Sequence, residues 1–298
     1  MNDSSVKFGP GQPSRTSIVV AALRAFGAKE PDPSVRNPDG LAGKLITSED
    51  LDLIAAHPIS TAMRQEYAAG RRNREVAGMS NLILVRTRFI DDQLQKALES
   101  DVAQVVILGA GFDTMALRVE DASSKATVFE VDHPATQCVK REAFARIETP
   151  ANVRFVAVDF ERDDYVAKLV EEGFAAERRS LIVWLGVTCY LTAQAILRAM
   201  NQIARLRGTG TRLVFDYILA DVIDGTSRNR EALQKARRMA RLGEPWLFGL
   251  APEQVRDYLA PLSLHLLTDY GAEELRARYC PERPVPMDYV RIVVCERV

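Results

Sequence analysis

From about residue 105 to the C-terminus, short apolar runs alternate with segments that have helical patterning, and this alternation constrains the fold most. The strand-like runs are Val105–Leu108, Thr127–Val131, Val153–Val158, Leu181–Leu185, Arg212–Phe215, Leu264–Thr268 and Val290–Cys295. Most of the segments between these runs have apolar residues at helical spacing. Strands that alternate with helices form βαβ units, so the pattern predicts an α/β fold whose mainly parallel sheet carries helices on both faces.

The remaining segments indicate how the chain is organised around this sheet. Residues 1–14 are rich in Gly, Pro and Ser, which predicts a mobile N-terminus. Helical patterns dominate residues 15–100, so we expect a helical cap on a core formed by residues 101–298. Residues 221–250 are highly charged and contain no strand-like run, which predicts a helical insert over the carboxyl ends of the strands, where such sheets bind ligands. We therefore expect a single domain.

Composition excludes several classes of function. The 39 Lys and Arg residues balance 40 Asp and Glu residues, so nothing indicates a nucleic-acid or membrane-surface partner. No run approaches the roughly 20 apolar residues of a membrane span, and the polar N-terminus resembles no signal peptide. The four cysteines lack C-x-x-C spacing, which predicts free thiols in a cytoplasmic protein without a metal site. The sequence carries no signal for oligomeric state.

Two glycines follow the first predicted strand in the phrase VVILGAGFDTMALRV. Gly109 and Gly111 lack a Cβ, which permits a tight turn and close approach of the backbone to a ligand. A dinucleotide site would need a third glycine, but Thr114 or Met115 occupies that place. A phosphate-binding P-loop would need Gly-Lys-Ser/Thr, which is absent. Both phosphate-binding interpretations are weakened, and a lone G-x-G also occurs in turns for backbone reasons alone.

Acidic residues at the next two strand ends support a nucleoside site. Asp132 follows the second strand, where an acid commonly binds ribose hydroxyls. Glu130 lies two residues earlier, so its side chain points to the same face of the strand and could share that role. Asp159 follows the third strand, where its carboxylate could accept from an adenine amino group while Phe160 contributes its ring or N–H. One such acid usually caps a helix. Three successive strand ends that carry G-x-G, Asp and Asp favour a binding site.

Five stretches together resemble the leucine carboxyl methyltransferase family, including its bacterial branch of S-adenosylmethionine-dependent methyltransferases and polyketide carboxyl methyltransferases. They are LILVRTRFIDDQL, VVILGAGFDTMALRV, FEVDHPATQCVKR, FVAVDFERDDY and WLGVTCYLT, and the similarity extends from about Ser14 to the C-terminus. The resemblance implies a Rossmann-like class I methyltransferase fold with seven strands, of which Val290–Cys295 is antiparallel. It also implies S-adenosylmethionine as the methyl donor and O-methylation, most often of a carboxylate.

The resemblance assigns donor-binding roles to single residues. Arg86 matches the arginine that binds the donor's methionine carboxylate, and Arg88 is the alternative. Arg15 either matches a second basic residue at that carboxylate or is a surface charge. The complete set expected at the donor is Arg86, Gly109, Ala110, Gly111, Asp113, Asp132, His133, Asp159, Phe160 and Leu185.

One position departs from the family. Leu185 stands where many members have a glutamate that contacts the donor's amino group, so backbone carbonyls near Leu185 or Gly186 are expected to substitute. Tyr190 is retained and is the candidate for positioning the acceptor, although a half-buried core tyrosine would fit the same pattern. The segments expected to hold the acceptor contribute four further candidates: Arg64, Tyr67, Arg238 and Trp246.

The sequence favours a carboxylate acceptor, on a small molecule, a polyketide or a peptide C-terminus. A carboxyl group with a pKa of about 4 is ionised at neutral pH, so its methylation needs no general base. Catalytic dyads are absent, and we expect His57, His133 and His265 to serve capping, pocket-lining and structural roles. A hydroxyl acceptor would need a base. Two further alternatives remain, a nucleotide-dependent oxidoreductase and a protein that binds S-adenosylmethionine without methyl transfer.

Overall fold

The computed structural model describes residues 14–48, 50, 74–118, 126–147 and 150–298. Its helices are α1 (Arg15–Gly27), α2 (Ala42–Leu45), α3 (Arg74–Glu99), α4 (Met115–Arg118), α5 (Pro134–Ala145), α6 (Tyr165–Glu171), α7 (Ala193–Ala204), α8 (Ala220–Ile223), α9 (Arg230–Arg241), α10 (Val255–Leu259) and α11 (Ala272–Tyr279). Its strands are β1 (Gln104–Leu108), β2 (Thr127–Asp132), β3 (Val153–Ala157), β4 (Leu181–Trp184), β5 (Arg212–Leu219), β6 (Gly249–Leu250), β7 (Leu264–Tyr270) and β8 (Val290–Arg297). Within these described ranges, no helix is long and apolar enough to cross a membrane.

One mixed sheet organises the molecule, in the order β3-β2-β1-β4-β5-β8-β7. Strands β1 to β5 are parallel, whereas β8 is antiparallel to both β5 and β7. The predicted α/β fold with one antiparallel strand is therefore confirmed. The eighth strand, β6, pairs in parallel with the end of β5. The expectation that residues 221–250 contain no strand is wrong, because a strand of only two residues leaves no apolar pattern.

Helices cover both faces of the sheet, and the two-residue period of the strands divides the core between them. In β4, Ile182 and Trp184 pack with α6, α7 and α10 on one face, whereas Leu181 and Val183 pack with α3 and α11 on the other. All four side chains are buried, as expected for a central parallel strand. The predicted apolar run of β4 therefore reflects burial on two faces.

The N-terminal helices lie over the carboxyl edge of the sheet. Ser14 caps α1 by accepting from the backbone N–H of Ser17. Ile18 of α1 packs against Leu45 of α2 and Phe144 of α5, and this small cluster fixes α1 beside the turn that follows β1. The cap therefore contributes one wall to the space above the strand ends.

Candidate functional site

A cavity of about 590 Å³ opens at the carboxyl edge of the sheet, where the strand order reverses between β1 and β4. Such reversals leave a crevice in which α/β proteins bind ligands. Its walls come from α1 and α3, from the residues that follow β1 to β4, and from Gly243, Glu244, Pro245 and Leu247 after α9. The volume lies within the range of small-molecule and cofactor sites.

The glycine turn after β1 forms the floor of this cavity. Gly109 and Gly111 have φ angles of 68° and 45°, the left-handed region that favours glycine. A Cβ on Gly109 would lie 2.2 Å from Cγ2 of Val187, and one on Gly111 would lie 2.9 Å from Cβ of Ser17. The turn needs glycines for its conformation and because two neighbouring segments approach its backbone.

Replacing Gly109 with alanine is expected to destabilise the fold by roughly 2–5 kcal/mol, because left-handed strain adds to the overlap with Val187. Gly173→Ala is the matched control, since Gly173 also has a positive φ of 92° but no atom lies within 4 Å of the place that its Cβ would take. We expect the control to lose only about 1–2 kcal/mol. Chemical denaturation measures both values, and equal losses would show that the contact with Val187 yields easily.

Asp132 lies at the end of β2 and faces the cavity. Its carboxylate accepts hydrogen bonds from the backbone N–H groups of Gly111 and His133, the latter at 2.6 Å. Partial removal from water raises the pKa of Asp132, and the two N–H groups oppose that shift. Glu130 does not line the cavity but is buried beneath α5, so the suggestion that it shares the role of Asp132 is not supported.

Asp159 and Phe160 line the cavity beyond β3. The Asp159 carboxylate accepts from the backbone N–H of Glu161 at 2.9 Å, which fixes the turn. The ring of Phe160 packs against those of Tyr165 and Trp184, with centroids 5.9 and 6.0 Å away. A rigid aromatic edge next to a carboxylate suits a planar base with an amino group.

Arg86 reaches the cavity from α3 and pairs with Asp216 of β5, with Nη1 and Oδ2 2.8 Å apart. The backbone N–H of Gly186 donates to the same carboxylate at 2.8 Å, so Asp216 links α3 to the end of β4. Sequence reasoning missed Asp216, although an acid inside the apolar run LVFDYI was a usable signal. Arg88 lies elsewhere and donates to backbone carbonyls, including that of Tyr279 at 2.6 Å, so it is not at the site.

Arg24 is a second cation that sequence reasoning missed. It lines the cavity from α1, pairs with the fully buried Asp39 at 2.7 Å and donates to the carbonyl of Phe112 at 2.6 Å. Asp113, which follows Phe112, also lines the cavity. Although removal from water opposes its ionisation, the guanidinium groups of Arg24 and Arg118 lower the pKa of Asp113. A charge on the apolar face of the predicted helix TSIVVAALRAF was the available signal.

A further part of the cavity wall contains Leu185, Tyr190, Gly243, Glu244, Pro245 and Leu247. Burial raises the pKa of Tyr190, whose hydroxyl lies beside Thr16 and Trp246. Thr16 of α1 donates a hydrogen bond to Glu244, which closes this side of the cavity.

Several other candidates lie away from the cavity or cannot be placed. Neither Arg238 nor Trp246 lines it, whereas Gly243, Glu244, Pro245 and Leu247 from the loop after α9 do. His265 is exposed on β7, away from the cavity. Arg64, Tyr67, His57 and the side chain of Arg15 fall outside the described residues. In the described ranges, no three His, Cys, Asp or Glu side chains are grouped to hold a metal ion.

Comparisons with known proteins agree with this geometry. The family model described as leucine carboxyl methyltransferase matches residues 17–204. A Mycobacterium marinum protein, provisionally named an S-adenosyl-L-methionine-dependent methyltransferase, is 33% identical over 272 residues, covering 86% of each chain. A Mycolicibacterium smegmatis protein with that provisional name is 33% identical over 205 residues, 68% of this chain and 66% of the relative.

A solved structure extends the comparison to the fold. The Thermobifida fusca protein, provisionally named a methyltransferase, superposes with a TM-score of 0.58 at 15% identity and covers 97% of this chain and 96% of that chain. At this identity the likeness shows a common fold alone. The family match spans the glycine turn and the ends of β2, β3 and β4, which together line the cavity. This chain therefore belongs to the leucine carboxyl methyltransferase family.

Proposed function

We propose that this protein uses S-adenosylmethionine to methylate a carboxylate on a small molecule, a polyketide or a peptide C-terminus. The family match and the names of the relatives support S-adenosylmethionine-dependent methyl transfer. The choice of a carboxylate as acceptor is the finer part of the proposal, and it rests on the chemistry of the wall that contains Tyr190.

The cavity fits the proposed donor. The glycine turn places its backbone at the floor of the cavity, Asp132 supplies a carboxylate for ribose hydroxyls, and Phe160 supplies an aromatic edge for adenine. Arg86 would hold the methionine carboxylate, since its guanidinium lines the cavity while pairing with Asp216. When bound, S-adenosylmethionine supplies an electrophilic methyl group on a positively charged sulfur.

Tyr190 is the observation that carries the carboxylate proposal. Tyr190 lines the cavity, and a phenol is protonated at neutral pH, so it can donate to an acceptor oxygen. Burial raises the pKa of Tyr190, which further disfavours a role as a base. His133, the imidazole among the described cavity residues, adjoins Asp132 at the proposed ribose position. A carboxylate is already nucleophilic at neutral pH, so the walls need only align it with the methyl group and exclude water.

Glu244 favours a hydroxyl as the second candidate acceptor. Its carboxylate lies on the same wall as Tyr190 and accepts from Thr16. A carboxylate in that place could remove a proton from an alcohol or phenol during transfer. The two candidates therefore differ in whether Glu244 takes part in the reaction.

Incubation with candidate acids and methyl-labelled donor is expected to give a methyl ester, whose label mild alkali releases as methanol. Mass spectrometry before and after alkali distinguishes such an ester from an alkali-stable ether. We expect Glu244→Gln to retain turnover within a few-fold, because a carboxylate acceptor needs no base. An alkali-stable product together with a loss of roughly 10²–10⁴-fold in Glu244→Gln would instead establish the hydroxyl candidate.

A further inference from the structure

Three polar residues of the phrase EVDHPATQCVKR are buried although they do not line the cavity. Glu130, Gln137 and Lys140 are 1%, 5% and 1% exposed, and the first lies on β2 while the other two lie on α5. Burying charged groups is costly unless they are paired, so their arrangement calls for a function or a structural reason.

Lys140 connects this buried group to the glycine turn. Its Nζ lies 2.7 Å from Oε2 of Glu130 and 3.4 Å from the carbonyl oxygen of Ala110. Gln137 donates from Nε2 to the carbonyl of Glu130 at 3.1 Å, which fastens α5 to β2. One buried ammonium group therefore contacts both the second strand and the floor of the cavity.

The carbonyl of Ala110 and the N–H of Gly111 belong to the same peptide unit. Because that unit is planar and trans, its oxygen and hydrogen point in opposite directions. Lys140 contacts the oxygen, and Asp132 accepts from the hydrogen. The same oxygen also accepts from the backbone N–H of Asp113 at 2.8 Å. Rotation of the Ala110–Gly111 peptide would break all three contacts, so Lys140 and the Asp113 N–H together oppose any rotation that would release Asp132.

We propose that Lys140 is a positioning residue for donor binding, which orients the Ala110–Gly111 peptide and thereby the Asp132 carboxylate toward the ribose. The inference rests on the donor site proposed above, but not on the identity of the acceptor. Glu130 neutralises Lys140 in a place where an unpaired ammonium would be unfavourable. In this arrangement, Lys140 contributes to ribose recognition without touching the ligand.

Electrostatics support the same role. Burial raises the pKa of Glu130 to about 7, and the adjacent ammonium of Lys140 opposes that rise. Lys140 also opposes the rise that burial causes in the pKa of Asp132. Its charge therefore favours the ionised carboxylate, which is the better acceptor for ribose hydroxyls.

The test is a double-mutant cycle on the binding of S-adenosylhomocysteine, measured by calorimetry. Glu130→Gln/Lys140→Met removes both buried charges together and is expected to weaken binding about tenfold. In an Asp132→Ala background the same pair of changes should weaken it less than about twofold, since the group that Lys140 positions is gone. With the 2′-deoxyribose analogue of S-adenosylhomocysteine, Glu130→Gln/Lys140→Met should likewise weaken binding less than it does with S-adenosylhomocysteine itself.

Lys168→Met is a surface control, because Lys168 also contacts a carboxylate and a strand-end carbonyl but its side chain is 38% exposed. Its Nζ lies 2.6 Å from Asp163 and 2.9 Å from the carbonyl of Ala157. Its effect should be independent of Asp132. Should the first double variant not fold, Glu130→Gln/Lys140→Gln gives the same comparison, because its two amides can bond each other while the shorter side chain no longer reaches Ala110.

Two outcomes would overturn the inference. Unchanged affinity in the folded double variant would show that Lys140 does not influence the site. An equal loss with and without Asp132 would show a general structural role in place of ribose positioning. A protein that binds S-adenosylhomocysteine but methylates no carboxylate would contradict the proposed acceptor and leave the role of Lys140 intact.

Discussion

Arg86→Met is expected to lower the free energy of unfolding by about 3–5 kcal/mol and to weaken donor binding severely. The stability loss follows because Asp216, 5% exposed, would keep a buried charge without its guanidinium partner. The binding loss follows because the same guanidinium is the proposed partner of the donor's carboxylate. Chemical denaturation measures the first effect and calorimetry with S-adenosylhomocysteine measures the second.

The double variant Arg86→Met/Asp216→Asn separates these two effects. It removes both charges, so we expect most of the stability to return because no uncompensated carboxylate remains. Donor affinity should stay low, since the cation that binds the donor is still missing. Recovery of both properties would show that Arg86 serves only to neutralise Asp216.

Asp132→Ala is expected to weaken binding of S-adenosylhomocysteine by about 1.5–3 kcal/mol, or roughly 10–150-fold. The reason is the loss of hydrogen bonds from ribose hydroxyls to an ionised acceptor, which are stronger than neutral ones. Calorimetry measures the affinity, and denaturation verifies that the variant remains folded.

Asp164→Ala provides the control for this prediction. Asp164 caps α6 by accepting from the N–H of Ala167 and lies outside the cavity. Its loss should reduce stability by about 1 kcal/mol without changing donor affinity. If Asp132→Ala bound as tightly as the unchanged protein, its assignment to the ribose would be wrong.

The sequence predicted the sheet because a central parallel strand must be apolar on both faces. The run Leu181–Trp184 shows that requirement directly. It did not reveal β6, since pairing of Gly249 and Leu250 with β5 depends on the path of the insert and not on a local pattern. Element order follows from periodicity, whereas the short strand follows from tertiary contacts.

The candidate site was predictable where a residue type is tied to a strand end. Asp132 and Asp159 lie at the cavity for that reason. Sequence reasoning missed Asp216 because its partner Arg86 is 130 residues away. It missed Arg24 because Asp39 lies in the loop after α1, where no periodic pattern indicates which side chains meet. The two partners of an ion pair between different secondary-structure elements have no fixed separation in the sequence, so no pattern reveals them.

The close approach of Val187 to Gly109 limits which cavity residues can be changed to alter selectivity. An enlarged side chain at Val187 would press on the glycine turn, because no room remains between Val187 and Gly109. The loop of residues 243–247 also reaches the cavity, and Leu247 is 43% exposed at its edge. Under the proposed function, libraries that vary Leu247 and Pro245 should therefore change which acceptors are used without altering the glycine turn, which makes this loop the natural place to begin engineering.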